Sequence, residues 1–231
     1  MVKPTVIFVH GLGLAGDVWV PQLEWCKKHN VECVALTLPG HGSRRGDAIS
    51  IEGMVDEIIA TAHRFEKVIL VGHSFGGFLC ALAASKIQNI DLIILINPLL
   101  DVRQIKGLFL ASTKAAKTLQ QFFGVKKRPG KFAQGSKWFW RWGIYPYCLM
   151  CNKIETLEKL YLEIKSIGRV TLPMLTRCTT LLSQDDELLK PVAVGNSITI
   201  PLSGHMLFRT APEEINRFLA QTMLRPTEHH G

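Results

Sequence analysis

Residues 68–83, VILVGHSFGGFLCALA, constrain the fold more than any other stretch of this 231-residue chain. A β-rich apolar run enters a tight turn and an apolar helical run leaves it. Between them, Gly72-His73-Ser74-Phe75-Gly76 fits G-x-S-x-G, a turn that strains the backbone of its serine and exposes it at the apex. Small residues on both flanks let strand and helix approach closely. Ser74 is therefore the candidate nucleophile, and the turn requires a strand followed at once by a helix.

The rest of the chain repeats that alternation. Thr5–His10, Glu32–Leu36, Lys67–Val71, Leu92–Ile96, Thr179–Leu182 and Ser197–Ile200 read as strands. Helices are predicted over Asp17–His29, Ile51–Phe65 and Gly77–Ile87, in a short Pro-bounded piece near Leu188–Val194, and over Pro212–Met223. In the second, apolar residues at 51, 54, 55, 58, 59 and 62 share one face and Ser50 is a plausible N-cap. The run LIILI at 92–96 has no polar alternation, as expected for a strand buried on both faces of a parallel sheet. The predicted fold is α/β, a mostly parallel sheet with helices on both faces. Alternation stops between Pro98 and Pro173, so residues 98–173 read as an insertion and residues 1–97 and 174–231 as the core. Helical patterns at Gln104–Phe123 and Ile154–Ile167 fall inside the insertion.

Charge is concentrated in the same place. The chain carries net +8, but residues 101–170 hold fourteen Lys and Arg against four acids, so the remainder is slightly acidic. Within this segment lies Lys137-Trp138-Phe139-Trp140-Arg141-Trp142, an aromatic and basic cluster. Trp138, Trp140 and Trp142 are candidates for an acyl-chain pocket wall, and the cluster also suits weak contact with an anionic membrane surface. The alternative is packing of the insertion on the core, with the lysines solvated. No motif supports nucleic-acid binding. The six cysteines include one C-x-x-C pair, Cys148 and Cys151, and no second pair completes a zinc site. Reduced thiols, together with an N-terminus that lacks an export-signal pattern, point to the cytoplasm.

A serine needs a base to be a nucleophile at neutral pH. With this turn the order along the chain is serine, acid, histidine. Only His205, His229 and His230 lie downstream of a suitable acid, and the last two sit in the terminal tail. His205, in the loop after the last predicted strand, is the candidate base. Asp185, Asp186 and Glu187, all following the strand TTLL, compete to orient it. Acyl transfer also needs donors for a developing oxyanion. The N–H of Phe75, next to the serine, is one, and Leu12 in the loop His10-Gly11-Leu12-Gly13 is placed to give the other.

In chain order the sequence supplies HGLG, LPGHGSR, GHSFGG, SQDD and SGHM. Together these motifs resemble the α/β-hydrolase superfamily, in particular its small serine esterases, monoglyceride lipases and ring-fission hydrolases. The resemblance covers nearly the whole chain outside the insertion. It implies a triad of Ser74, Asp186 and His205, with Asp186 chosen because Ser183-x-x-Asp186 matches the family's G-x-x-D. It also implies that residues 98–173 form a helical cap over the site. Ser183 departs from the usual glycine, and the chain begins at what resembles the family's third strand. A serine at the turn argues against relatives that use a carboxylate nucleophile. The implied activity is hydrolysis of a carboxylic ester with a medium or long acyl chain, such as a monoglyceride or lysolipid, without metal or organic cofactor. A thioesterase or a C–C bond hydrolase would use the same residues, and a non-catalytic member would use the pocket for binding alone.

Overall fold

The computed structural model describes residues 2–107, 137, 139–144, 148, 152–173 and 177–223. Strands β1 (Thr5–Val9), β2 (Cys33–Leu36), β3 (Val68–His73), β4 (Ile90–Ile96), β5 (Cys178–Ser183) and β6 (Asn196–Ile200) form one sheet in the order β2-β1-β3-β4-β5-β6. All five pairings are parallel, with Val6 opposite both Cys33 and Ile69. Alternate residues of each strand enter opposite cores. Ile7, Val9, Leu70, Ile93 and Leu95 join one cluster, while Val6, Phe8, Val71, Ile94 and Ile96 join the other. This two-sided burial is why β1, β3 and β4 read as unbroken apolar runs.

Helices α1 (Val20–Lys28), α2 (Ile51–Ala62), α3 (Phe75–Ala83), α4 (Ile154–Ile167), α5 (Leu207–Thr210) and α6 (Pro212–Met223) cover both faces. In α2 the predicted stripe is the buried one: Ile51, Met54, Val55, Ile58 and Ala62 face the first cluster. Each large apolar side chain buried this way contributes about 1.5–3 kcal/mol. Ser50 caps the helix by accepting from the Gly53 N–H at 3.0 Å. On the other face, Trp19 packs its ring at a tilt against Phe8 and Phe208, joining a 3-10 turn (Gly16–Trp19), β1 and α5. Helix α6 starts with a proline and two glutamates, residues suited to a helix N-terminus.

The helices predicted at Ile154–Ile167 and Pro212–Met223 have those bounds in the structure. The short helix predicted near Leu188–Val194 does not form. Asp186 accepts from the Leu188 and Leu189 N–H groups, and Leu189 pairs antiparallel with Ile105. Pro191 steers Lys190 away from helical angles, and Gly195 turns at φ 66°. The helix expected from Gln104 begins differently too. Gln104 ends a 3-10 turn (Val102–Gln104) capped by Asp101, and Ile105 is extended. Residues 108–123 of that prediction lie outside the described residues. The run Asp17–His29 is split between the 3-10 turn and α1.

The described part of segment 98–173 reaches both cores. Leu160 and Ile164 of α4 pack into the first cluster, and Trp140, Ile144 and Cys148 into the second. Its first residues stay with the sheet: Lys106 N–H donates to Leu188 O and Gln104 Nε2 to Lys190 O. Among the described residues, no helix is long and apolar enough to cross a membrane.

Candidate active site

Strand β1 lies between β2 and β3, which the chain visits in turn, so its crossovers leave in opposite directions. Ligands of open parallel sheets bind beside the strand C-termini at such a reversal. The loop after β1 and the turn after β3 both end there. They are close: a Cβ added at Gly11 would lie 3.3 Å from Ser74 Cβ.

Ser74 sits between β3 and α3 at φ 52°, ψ −116°, a conformation that costs a non-glycine residue about 1–3 kcal/mol. The flanking glycines make it attainable. A Cβ at Gly76 would meet Val9 O at 2.2 Å, and one at Gly72 would meet Gly76 O at 2.6 Å. The serine carbonyl accepts from the Gly77, Phe78 and Leu99 N–H groups, which fixes the apex from below. The N–H groups of Leu12 and Phe75 have no hydrogen-bond acceptor among the described residues.

His205 Nδ1 donates to Asp186 Oδ2 at 2.7 Å, with the two side chains 2% and 3% exposed. Burial pushes the Asp186 carboxyl up, but the His205 charge and hydrogen bond and the two amides pull it further down. Its ionisation ends below the ordinary carboxylate range, so it is an anion at neutral pH. The other two competing acids hold the same histidine loop by its backbone. Asp185 Oδ1 accepts from the Ser203 and Gly204 N–H groups at 3.0 Å, and Glu187 from the His205 N–H at 3.0 Å. Three consecutive acids thus grip residues 203–205, and only Asp186 takes the imidazole. The Ser74 hydroxyl makes no hydrogen bond to His205, a contact that often tightens only when substrate is bound.

Three residues not singled out in the sequence complete the arrangement. His73 donates from Nε2 to His205 O at 3.0 Å, and its ring lies 4.7 Å from the His205 ring. Burial first, and then the neighbouring His205, hold His73 well below its ordinary ionisation, so it stays neutral. Asn97, at φ 41°, donates to Gly204 O and His205 O and accepts from the Ser183 N–H. It ties the end of β4 to both the acid strand and the histidine loop. His10 accepts from the Leu38 N–H at 3.0 Å through Nε2, so Nδ1 carries the proton that bonds Gly11 O at 2.8 Å. His73 stands inside the G-x-S-x-G motif, and Asn97 is the polar residue that ends an apolar strand; those were the available signals.

The family model for the alpha/beta hydrolase family matches residues 6–218. This chain belongs to the alpha/beta hydrolase family. Among curated relatives, it is 32% identical over 78 residues to (E)-2-((N-methylformamido)methylene)succinate hydrolase of Acinetobacter baylyi, covering 32% of this chain and 29% of that protein. It is also 32% identical over 79 residues to 2-succinyl-6-hydroxy-2,4-cyclohexadiene-1-carboxylate synthase of Photorhabdus laumondii, covering 32% and 27%. The match spans less than a third of the length of either relative. Among solved structures, an N-acyl homoserine lactonase, AidH, superposes with TM-score 0.73 at 17% identity, over 99% of this chain and 92% of that one. That likeness establishes the alpha/beta hydrolase fold.

In this family member Arg141 meets the candidate site through charge, while the neighbouring Trp140 packs into the core. Arg141 forms an ion pair with Asp185, the acid that holds Ser203 and Gly204. Trp140 is 1% exposed and packs in the second core cluster, with the Arg209 guanidinium carbon 4.4 Å from its ring centroid. Trp140 thus has the core-packing role that the sequence allowed beside the pocket-wall one. Trp138 and the side chain of Trp142 lie outside the described residues.

Proposed function

We propose that this alpha/beta hydrolase cleaves carboxylic esters through an acyl-enzyme. Ser74 Oγ attacks the acyl carbon while His205 Nε2 takes its proton. Asp186 holds the ring with Nδ1 protonated and stabilises the imidazolium. The Leu12 and Phe75 amides bind the developing oxyanion. Collapse expels the alcohol, which receives its proton from His205. Water, activated by the same histidine, then releases the acid.

The observation that carries this reading is the buried 2.7 Å bond between His205 and Asp186, with the His205 carbonyl held by His73, the residue preceding a strained serine. The unbonded amides of Leu12 and Phe75 support the oxyanion assignment. Residues 98–173 act as a cap, with residues 98–107 serving as its root on the core. A medium or long acyl ester is the favoured substrate, in keeping with the aromatic composition of the cap. Among the described residues, five cysteines are free and four of these are buried, which suits the reducing cytoplasm. Cleavage of a bond other than an ester is the second reading, favoured by the names of the two curated relatives.

Labelling with a fluorophosphonate, followed by peptide mapping, tests the catalytic assignment. The label is expected on Ser74 and absent from Ser74→Ala. Folded wild-type protein that takes no label would overturn it.

A further inference from the structure

The loop His10–Gly13 is held at the carbonyl of Gly11. Gly11 O accepts from His10 Nδ1 at 2.8 Å and from the Leu14 N–H at 3.2 Å. A peptide unit is planar and trans, so anchoring Gly11 C=O aims the N–H of Leu12 the opposite way. Gly13 follows at φ 78°, a residue with a shallow torsional landscape and no side chain to lock it. The loop therefore needs a second anchor on its far side.

That anchor comes from the inserted segment. Asn152 is 4% exposed, and its Nδ2 donates to Gly13 O at 2.9 Å and to Cys148 O at 2.7 Å. One bond fastens the amide to its own segment and the other reaches across to the loop. Two residues later α4 begins, and Leu12 packs against its buried Ile154 and Leu157. The fit is close, since a Cβ added at Gly13 would lie 3.2 Å from Cys148 Cβ and 3.5 Å from Asn152 Nδ2. Asn152 thus holds Gly13 by a polar contact, and Ile154 and Leu157 hold Leu12 by apolar ones.

We propose that Asn152 is a positioning residue for the oxyanion loop, so that the aim of the Leu12 amide depends on the docked cap. The inference rests on the reading of Leu12 as an oxyanion donor. The cap then does more than select substrates: its docking completes the electrostatic half of the site. A residue acting in this way affects the transition state more than ground-state binding.

Two measurements on the full chain, with Asn152→Ala and Asn152→Asp, test this. In hydrogen exchange, peptides spanning residues 10–14 should exchange about tenfold faster in both variants while those of β3 and β4 keep their wild-type rates. In steady-state hydrolysis of a p-nitrophenyl ester, kcat should fall about ten- to hundredfold with KM within about twofold and the shape of the pH profile kept. Wild-type exchange at residues 10–14, or a loss confined to KM, would overturn the proposal. Hydrolysis that survives Ser74→Ala would instead overturn the catalytic reading, and the exchange result would still decide whether Asn152 holds the loop.

Discussion

His205 and Asp186 share a 2.7 Å hydrogen bond with almost no solvent at either side chain, while Asp185, the adjacent acid, bonds only the backbone of the same loop and the Ser183 hydroxyl, and pairs with Arg141. The contrast separates two acids that sequence alone left in competition. Asp186→Asn should lower kcat by about 10²–10⁴-fold, because the amide favours the wrong imidazole tautomer and cannot stabilise its cation. Asp185→Asn should cost stability and lower kcat less than about tenfold. Steady-state kinetics on both variants decide it, and the reverse ranking would transfer the orienting role to Asp185.

Asn97 ties three segments together through its side chain. Asn97→Leu keeps the branching of the side chain but leaves the buried Ser183 N–H without its acceptor. A loss of about 2–3 kcal/mol is expected in urea unfolding, accompanied by a lower kcat as the His205 loop loosens. Unchanged stability would mean that the loop is held adequately by the acids and His73.

Much of this site was legible in the sequence, for reasons that differ by residue. Ser74 announces itself because the close strand–helix approach demands glycine at 72 and 76, and those two clashes are what the structure displays. The sheet was legible because burial on both faces leaves β1, β3 and β4 no polar alternation. Asp186 was harder, since three adjacent acids have the same chemistry and only the path of the loop separates them. The absent helix at Leu188–Val194 was hidden because its amides are taken by Asp186, a contact made by tertiary geometry. His73 and Asn97 act on the His205 carbonyl, 132 and 108 residues away in sequence respectively, and no local pattern encodes such partners.

Gly76 should tolerate no side chain. A methyl there would press on Val9 O at 2.2 Å, and both partners are core backbone. Gly76→Ala should lose about 3 kcal/mol, the upper part of the usual range for overpacking. Equilibrium urea unfolding measures it, and wild-type stability would show that β1 and α3 can separate.

His73 gives the fold a dependence on pH. Its ionisation in the folded protein lies well below the ordinary 6.5, first because burial disfavours the charge and then because His205 adjoins it. Below pH 6.5 the unfolded chain takes up a proton that the folded chain refuses. Stability present above 6.5 is therefore lost as the pH falls, at up to about 1.4 kcal/mol per pH unit. His73→Gln should remove that slope between pH 6.5 and 5. An identical slope in wild type and variant would assign the dependence to other groups.

The central claim, that Ser74 attacks an ester carbonyl, is tested most directly by hydrolysis of p-nitrophenyl esters from acetate to palmitate, with wild type and Ser74→Ala side by side. The account predicts turnover by the wild type, an optimum at medium or long chain length, and a loss of at least about 10³-fold in the variant. Equal rates for the two proteins would contradict it.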